Sequence, residues 1–87
     1  MSIRVEFYGI ARRRAGVEFL ESEGNTLGDV FDRLQVELPT FSAACLKNGQ
    51  LQPGFLANVN GQTFSSKRET PLNDGDAVLI LSADAGG

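Results

Sequence analysis

The chain has 87 residues and a net charge of −3, and 41% of its residues are hydrophobic and 22% charged, a composition typical of one small globular domain with too little core to enclose a large cavity. The acidic balance disfavours binding to nucleic-acid phosphates, and no apolar run approaches the ~18 residues of a membrane-spanning helix. Since no apolar N-terminal segment resembles a secretion signal, we expect a cytoplasmic protein with no nucleic-acid partner and no membrane partner.

The N-terminal part predicts a pair of strands. Ile3, Val5 and Phe7 alternate with polar residues, which is the period of a strand with one buried face. A second strand-like pattern follows at residues 17–21, so the two segments are predicted to pair as a hairpin with a broad connection. That connection contains three adjacent arginines at residues 12–14. Such a run could bind a phosphate or an acidic partner, although a solvated loop or helix face is its more frequent role.

A capping signal and an apolar stripe predict the main helix. Thr26 can accept a hydrogen bond from an unpaired backbone N–H of the first turn, and Asp29 favours the positive end of the helix. The apolar side chains that follow recur at spacings of three and four, on one face toward the sheet: Leu27, Val30, Phe31, Leu34 and Leu38. Pro39 is expected to end the helix at or near Leu38.

The second half of the chain predicts strands separated by turns. Between Pro39 and Gly54 the pattern favours a short helix over residues 41–46, before a turn at residues 47–49. Residues 55–59 predict a strand, and Asn60-Gly61 tolerates the positive φ of a type I′ hairpin turn before a partner strand at residues 62–64. Another turn is predicted at residues 71–76, which contain proline and glycine.

The last predicted strand is the most apolar. Residues 77–81 read Ala-Val-Leu-Ile-Leu, which predicts a strand covered on both faces and therefore central in its sheet. Two strand pairs flank one main helix, so the fold class is predicted to be α+β, with a mixed sheet packed on that helix.

The residue types present exclude most self-contained catalytic sites. The sequence has no histidine, which excludes Ser-His-Asp and Cys-His catalysis and removes the commonest zinc ligand. Cys45, the single cysteine, cannot alone hold a zinc or iron–sulfur site. Its small apolar neighbours favour a buried filler over a nucleophile. Asp74 and Asp76 could be paired carboxylates or calcium ligands, but their turn favours local hydrogen bonds. We therefore predict no metal or cofactor bound by this chain.

The C-terminal residues form a separate predicted segment. Residues 82–87 read Ser-Ala-Asp-Ala-Gly-Gly and contain no side chain large enough to anchor them to a core, so we expect a flexible tail. Six extended residues span roughly 20 Å, which is enough to enter a partner's active site. Gly86 and Gly87 lack Cβ atoms and could pass through a narrow channel to present the terminal carboxylate. Terminal glycines alone are more often only a frayed end.

Several segments together resemble the MoaD/ThiS group of ubiquitin-like sulfur carriers. They are Val-Glu-Phe-Tyr-Gly-Ile-Ala-Arg at residues 5–12, the helix after Thr26, Val-Asn-Gly at residues 59–61, and the stretch at 71–78 that leads to Gly86 and Gly87. The resemblance covers nearly the whole chain. It implies a β-grasp fold with residues 1–81 as the domain and residues 82–87 as the tail, which the last strand delivers to partner enzymes.

The resemblance also implies a chemistry. In such carriers an adenylating enzyme uses ATP and Mg²⁺ to activate the terminal glycine, here Gly87, because an ionised carboxylate resists attack by sulfur nucleophiles. Sulfur transfer then gives a thiocarboxylate that a second enzyme consumes. The branch most similar is the small subunit of molybdopterin synthase, not catalytic alone, whose large subunit accepts the sulfur in molybdenum cofactor biosynthesis. That branch often has a Pro-Pro pair where this chain has Leu-Ser-Ala-Asp at residues 81–84.

Three alternatives use the same sequence features. The chain could be a thiamine-thiazole sulfur carrier, although its long connection at residues 39–54 favours the molybdopterin branch. It could be a protein modifier, in which activated Gly87 forms an isopeptide bond with a lysine of a target. It could also be a passive binding domain whose tail has no role.

Overall fold

The computed structural model describes residues 2–83, which form strands and helices in the predicted α+β arrangement. In chain order these are β1 (Ser2–Phe7), α1 (Ile10–Ala15), β2 (Phe19–Glu23), α2 (Leu27–Glu37), α3 (Pro39–Cys45), β3 (Leu46–Lys47), β4 (Gln50–Leu51), β5 (Phe55–Val59), β6 (Thr63–Phe64) and β7 (Ala77–Ser82). Within that described part, no helix is long and apolar enough to cross a membrane.

The main sheet is mixed, as predicted. Its strand order is β2-β1-β7-β5-β6. β1 runs parallel to β7, while the other neighbouring pairs are antiparallel. β3 and β4 form a separate two-stranded sheet. The N-terminal and C-terminal strands of the described chain therefore lie side by side at the centre of the molecule.

The capping signal and the apolar stripe of α2 are confirmed. Thr26 Oγ1 accepts a hydrogen bond from the backbone N–H of Asp29 at 3.2 Å, and the Asp29 carboxylate accepts one from the backbone N–H of Thr26 at 3.2 Å. This reciprocal pair satisfies two donors that the first turn leaves unpaired. Leu38, at the end of the helix, is half-buried. The other four stripe residues are fully buried: Leu27, Val30, Phe31 and Leu34.

The core lies between α2, α3 and one face of the sheet. Alternate residues of the two central strands face the helices and are fully buried: Ile3, Val5, Phe7, Val78 and Ile80. Phe7 meets Phe41 of α3 edge to face, with the ring centroids 5.2 Å apart. Each large apolar side chain buried in this way contributes about 1.5–3 kcal/mol, so this one layer supplies most of the stability of the fold.

The broad connection predicted between β1 and β2 is present and contains the helix α1, on which residues 12–14 lie. Two other local expectations differ from the structure. β2 begins at Phe19 rather than at residue 17. Leu46 belongs to β3 rather than to the preceding helix, and the turn that follows has positive φ at Asn48 (54°) and Gly49 (75°). Asparagine and glycine tolerate that conformation, which allows the tight β3–β4 hairpin.

The hairpin predicted at Asn60-Gly61 is confirmed. Both residues have positive φ, at 58° and 71°. The backbone N–H of Gln62 donates to the carbonyl of Val59 at 3.0 Å, which closes the turn. Both φ values have the sign that a type I′ turn requires. The partner strand β6 begins at Thr63, one residue later than predicted, because Val59 pairs with Thr63 and Gln62 stays in the loop.

The prediction for the last strand is half right. β7 is central, between β1 and β5. The expectation that it is covered on both faces is wrong, because only alternate residues are fully buried and Leu79 and Leu81 are half-buried. β7 also includes Ser82, which was assigned to the tail. The remaining tail residues, 84–87, lie outside the described residues.

Candidate functional site

β7 carries the chain to Ala83, the last residue that the structure describes. The carbonyl of Ile80 accepts a hydrogen bond from the backbone N–H of Tyr8 at 2.9 Å, and the backbone N–H of Ala83 donates to the carbonyl of Gly54 at 2.6 Å. The chain is therefore held from both sides as far as Ala83. The predicted reactive residues, Gly86 and Gly87, lie outside the described residues, and their role stays a prediction.

One row of paired residues crosses all five strands on the face of the sheet that points away from the helices. From β2 to β6 the row consists of Phe19, Glu6, Leu79, Asn58 and Phe64. Cross-strand partners share a face of a sheet, because successive side chains alternate between faces. The next row toward the end of β7 pairs Leu81 with Leu56. The register therefore gathers apolar side chains from four strands.

These side chains form an exposed surface, which we call the apolar sheet face: Phe19, Leu56, Phe64, Leu79 and Leu81. Phe64 is 64% exposed, Phe19 47% and Leu56 42%, while both β7 leucines are half-buried. Within the row, Glu6 separates Phe19 from Leu79 and Asn58 separates Leu79 from Phe64. The face therefore mixes exposed apolar side chains with polar ones, as protein-binding surfaces commonly do. The surface borders the end of β7, so a protein that covers it would lie next to Ser82 and Ala83.

The β1 side of this face is polar and closely connected. Arg4 Nε donates to Glu6 Oε2 at 3.0 Å, Tyr8 Oη donates to Glu6 Oε1 at 2.5 Å, and the Arg4 guanidinium lies 3.7 Å from the ring centroid of Phe19. The hydrogen bond from Tyr8, helped by Arg4, holds the pKa of Glu6 below its ordinary value, and the same bond raises the pKa of Tyr8. Glu6 is therefore ionised at neutral pH, which places a fixed negative charge between Phe19 and Leu79 of the apolar sheet face.

Arg12 differs from the other two arginines of the run because its side chain has partners within the domain. Arg12 Nε donates to the carbonyl of Phe7 at 3.0 Å, and Arg12 Nη1 lies 3.6 Å from Glu18 Oε1. These contacts tie α1 to the end of β1. Arg13 and Arg14 are exposed on the same helix, which confirms the helix-face alternative for the run.

Cys45 is a buried core residue, as predicted. It is fully buried at the end of α3, and burial raises the pKa of its thiol above the ordinary value. A thiol that is both inaccessible and harder to ionise is a poor nucleophile. The filler interpretation is confirmed.

The two aspartates of the last turn make local hydrogen bonds, as predicted. Asp74 Oδ1 accepts from the backbone N–H of Ser2 at 2.7 Å. Asp76 accepts from Asn60 Nδ2 at 3.0 Å and from the backbone N–H of Asn73 at 2.8 Å, and these bonds lower its pKa. Across residues 2–83, no group of three or more side chains of the types His, Cys, Asp or Glu is arranged to hold a metal ion.

Sequence reasoning predicts that a partner docks on apolar side chains exposed on one face of the sheet, but it does not identify the residues of the apolar sheet face. Its members are scattered from Phe19 to Leu81, and each strand alone shows only an ordinary apolar residue. The surface appears only when the register across the strands is known. The one usable signal was the excess of apolar residues in 77–81, which we assigned to a covered face.

Comparisons with known proteins agree with this geometry. A family model described as the ThiS family matches residues 5–87. SAMP1 from Haloferax volcanii has a TM-score of 0.83 at 19% identity, with 100% of both chains covered. A chain of the Amycolatopsis orientalis BexX/CysO complex has a TM-score of 0.79 at 27% identity, covering 98% of this chain and 99% of that one. A chain from the complex of subunits 1 and 2 of the Helicobacter pylori 26695 molybdopterin-converting factor has a TM-score of 0.70 at 23% identity, with 100% of both covered. A search of curated protein sequences found no match.

Proposed function

The chain belongs to the ThiS family, and on that premise we propose that it carries sulfur on the C-terminal carboxylate of Gly87 for molybdopterin biosynthesis. The predicted β-grasp fold is confirmed by the mixed sheet and by the likeness to SAMP1 and CysO. The observation that carries the proposal is that the family match extends over residues 5–87, so it includes both terminal glycines.

The proposed chemistry activates a carboxylate that is otherwise unreactive. In the active site of an adenylating enzyme, with Mg²⁺ bound to ATP, an oxygen of Gly87 attacks the α-phosphorus and pyrophosphate leaves. A hydrosulfide nucleophile then attacks the carbonyl carbon of the acyl adenylate. The C–S bond forms as the C–O bond to AMP breaks, AMP leaves with the electron pair, and a proton is released to water. The product is a thiocarboxylate, and no oxidant or reductant is consumed.

The geometry of the domain supports this role. The chain is held as far as Ala83 by its hydrogen bond to Gly54, so the domain gives the C-terminal residues a defined starting point. The apolar sheet face lies beside that point and offers a docking surface. Acid–base and nucleotide-binding groups then come from the partner. In this chain Cys45 is buried and Asp76 is engaged in local hydrogen bonds, so neither is available for that chemistry.

Two partners follow from this function. An adenylating enzyme would use ATP and Mg²⁺, and a sulfur-accepting enzyme, the molybdopterin synthase large subunit, would receive the thiocarboxylate. The structural likeness to a chain from the molybdopterin-converting factor complex of Helicobacter pylori agrees with the second partner. Both encounters would take place in the cytoplasm.

The experiment is mass spectrometry of the chain purified from its native cell. We expect a fraction of the C-terminal peptide in which one oxygen of Gly87 is replaced by sulfur. As a matched functional test, a variant without Gly86 and Gly87 is expected to fold normally and to lose all activity in a cell that lacks its own molybdopterin carrier. A truncated chain that still restores molybdenum cofactor synthesis, or a native chain that continues past Gly87 without processing, would rule the function out.

The second candidate is protein modification. The same acyl adenylate could be attacked by a lysine amine, which would join Gly87 to a target through an isopeptide bond. The fold is shared with SAMP1 from Haloferax volcanii, whose name describes a small archaeal modifier protein. Gly-Gly remnants on lysines of other proteins, absent in cells that lack this chain, would support modification. Restored thiamine synthesis instead of molybdopterin synthesis would assign the chain to the thiazole branch.

A further inference from the structure

The helix α1 lies beside the end of β7. It packs against both β7 and α3, and the hydrogen bond from Tyr8 to Ile80 holds the chain that enters it next to the last residues of β7. A protein that receives the C-terminal residues would therefore also approach α1. The side chains that α1 exposes are available to such a protein.

Two of the three arginines on α1 are unpaired within the described part of the chain. Arg12 is engaged by the carbonyl of Phe7 and by Glu18. The side chains of Arg13 and Arg14 make no hydrogen bond or ion pair with any residue in 2–83. Together with Ile10, which is 40% exposed, they line a surface concavity of about 320 Å³. We call this concavity the α1 basic surface.

The charge of this surface is opposite to that of the whole chain. The chain has 11 acidic and 8 basic residues, and three of the basic ones lie on this single short helix. Exposed charges act over a Debye length of about 8 Å at physiological salt. A partner surface that complements these arginines is therefore acidic. It has to approach α1 to within about one Debye length for the attraction to be strong.

Building on the carrier function proposed above, we propose that Arg13, Arg14 and Ile10 form a second docking surface, which binds a carboxylate-rich patch of the adenylating enzyme next to the entrance for the C-terminal residues. Guanidinium groups bind carboxylates through paired hydrogen bonds. The exposed side chain of Ile10 lies in the same concavity. An apolar wall beside two cations fits a protein surface better than a free phosphate, which has no apolar group to place there.

This surface differs in its effect from the apolar sheet face. Charge complementarity at a rim mainly accelerates association, whereas apolar burial mainly slows dissociation. The α1 basic surface therefore sets how quickly and in which orientation the carrier meets the enzyme. The sheet face then holds the complex together.

The test measures the association rate of the carrier with the adenylating enzyme, captured from the native cell with Mg²⁺ and ATP. The variant is Arg13→Glu with Arg14→Glu. The control is Arg33→Glu with Lys67→Glu, which makes the same change in net charge on α2 and on the loop before β7. Near 50 mM NaCl we expect association of the Arg13/Arg14 variant to be slower by about tenfold or more. We expect that difference to shrink in high salt, and the control to stay close to the unmodified chain.

Several results would overturn the inference. Equal slowing in both double variants would mean that only net charge matters, and an unchanged rate would mean that α1 does not dock. Phosphate that competes more strongly than chloride at equal ionic strength, and only when both arginines are present, would assign a phosphate site instead. The milder pair Arg13→Gln with Arg14→Gln, checked by thermal unfolding, excludes loss of the fold as the cause.

The carrier function has its own readout in the same experiment. ATP–pyrophosphate exchange at saturating enzyme reports adenylation of Gly87, and we expect it to persist in the Arg13/Arg14 variant. If the unmodified chain supports no exchange, the carrier function fails. If exchange is normal but the association rate is independent of Arg13 and Arg14, only the second docking surface fails.

Discussion

Arg68 binds Asp32 through two parallel hydrogen bonds, from Nη1 to Oδ1 at 2.9 Å and from Nη2 to Oδ2 at 2.8 Å. Nη1 also donates to the carbonyl of Gly49 at 2.7 Å. One guanidinium therefore connects α2 to the turn between β3 and β4. A Cβ on Gly49 would lie 2.8 Å from Nη1, and one on Gly28 would lie 2.9 Å from the Cβ of Arg68, so two glycines leave the room this side chain needs.

Removal of this connection should destabilise the fold more than removal of an ordinary surface ion pair. We expect Arg68→Ala to unfold at a lower urea concentration than the unmodified chain, and Arg68→Lys to fall between them because lysine cannot make the paired hydrogen bonds. The matched control is Arg33→Ala, which removes an exposed pair with Glu37 within α2 and should have a small effect. Equal midpoints for Arg68→Ala and Arg33→Ala would contradict the prediction.

Acid should weaken the same connection. Hydrogen bonds from Arg68 lower the pKa of Asp32 in the folded chain. A carboxyl group whose pKa is lower in the folded chain than in the unfolded chain stabilises the fold at pH values above its ordinary pKa of ~4. This stabilisation is lost as the pH falls through the pKa of the folded chain. We therefore expect Asp32→Asn to be less stable than the unmodified chain at neutral pH, and the difference to disappear once the pH is low enough to protonate Asp32 in the folded chain. Urea unfolding across this range measures the difference, and a constant gap would refute the prediction.

The apolar sheet face should be needed for binding but not for folding. Phe64 is 64% exposed, so Phe64→Ser should change the free energy of unfolding by less than about 1 kcal/mol. Its affinity for the adenylating enzyme should fall about tenfold or more, as for an aromatic side chain that the partner buries. Val36→Ser is the control, because Val36 is 79% exposed on α2. Isothermal titration calorimetry measures both, and an unaffected affinity for Phe64→Ser would exclude the face.

The thiol of Cys45 should be inert in the folded chain. Burial both blocks access and raises the pKa of the thiol, so alkylation by iodoacetamide should be slow until the chain is unfolded. Cys45→Ser should cost about 1–3 kcal/mol, because the hydroxyl is buried in an apolar site, and Cys45→Ala is the milder control. Both should still be adenylated at Gly87. Rapid labelling of the native chain would show that the site opens more readily than its burial indicates.

Elements with a local signal could be predicted from the sequence. Thr26 and Asp29 mark the start of α2 because capping depends on residues three positions apart, and Asn60-Gly61 marks a turn because few other residues accept positive φ at both positions. The β3–β4 hairpin was missed, since strands of two residues carry no detectable alternation. Leu46 was placed in the preceding helix for the same reason.

Elements that depend on distant pairing could not be predicted. The apolar run of β7 fits two arrangements equally well: a sheet covered by helices on both faces, and a sheet with one face exposed for docking. Both arrangements place apolar residues at positions 79 and 81. The choice between them depends on whether a helix packs on that side. The terminus that we propose as reactive followed from family resemblance, whereas the apolar sheet face required the register of five strands.

The hydrogen bond from the backbone N–H of Ala83 to the carbonyl of Gly54 joins the residue after β7 to the residue before β5. The ladder between these two strands ends with the pair Phe55 and Ser82, so this bond continues it by one step. Ala83 therefore moves together with the sheet, and a protein that grips the sheet also fixes the position of Ala83.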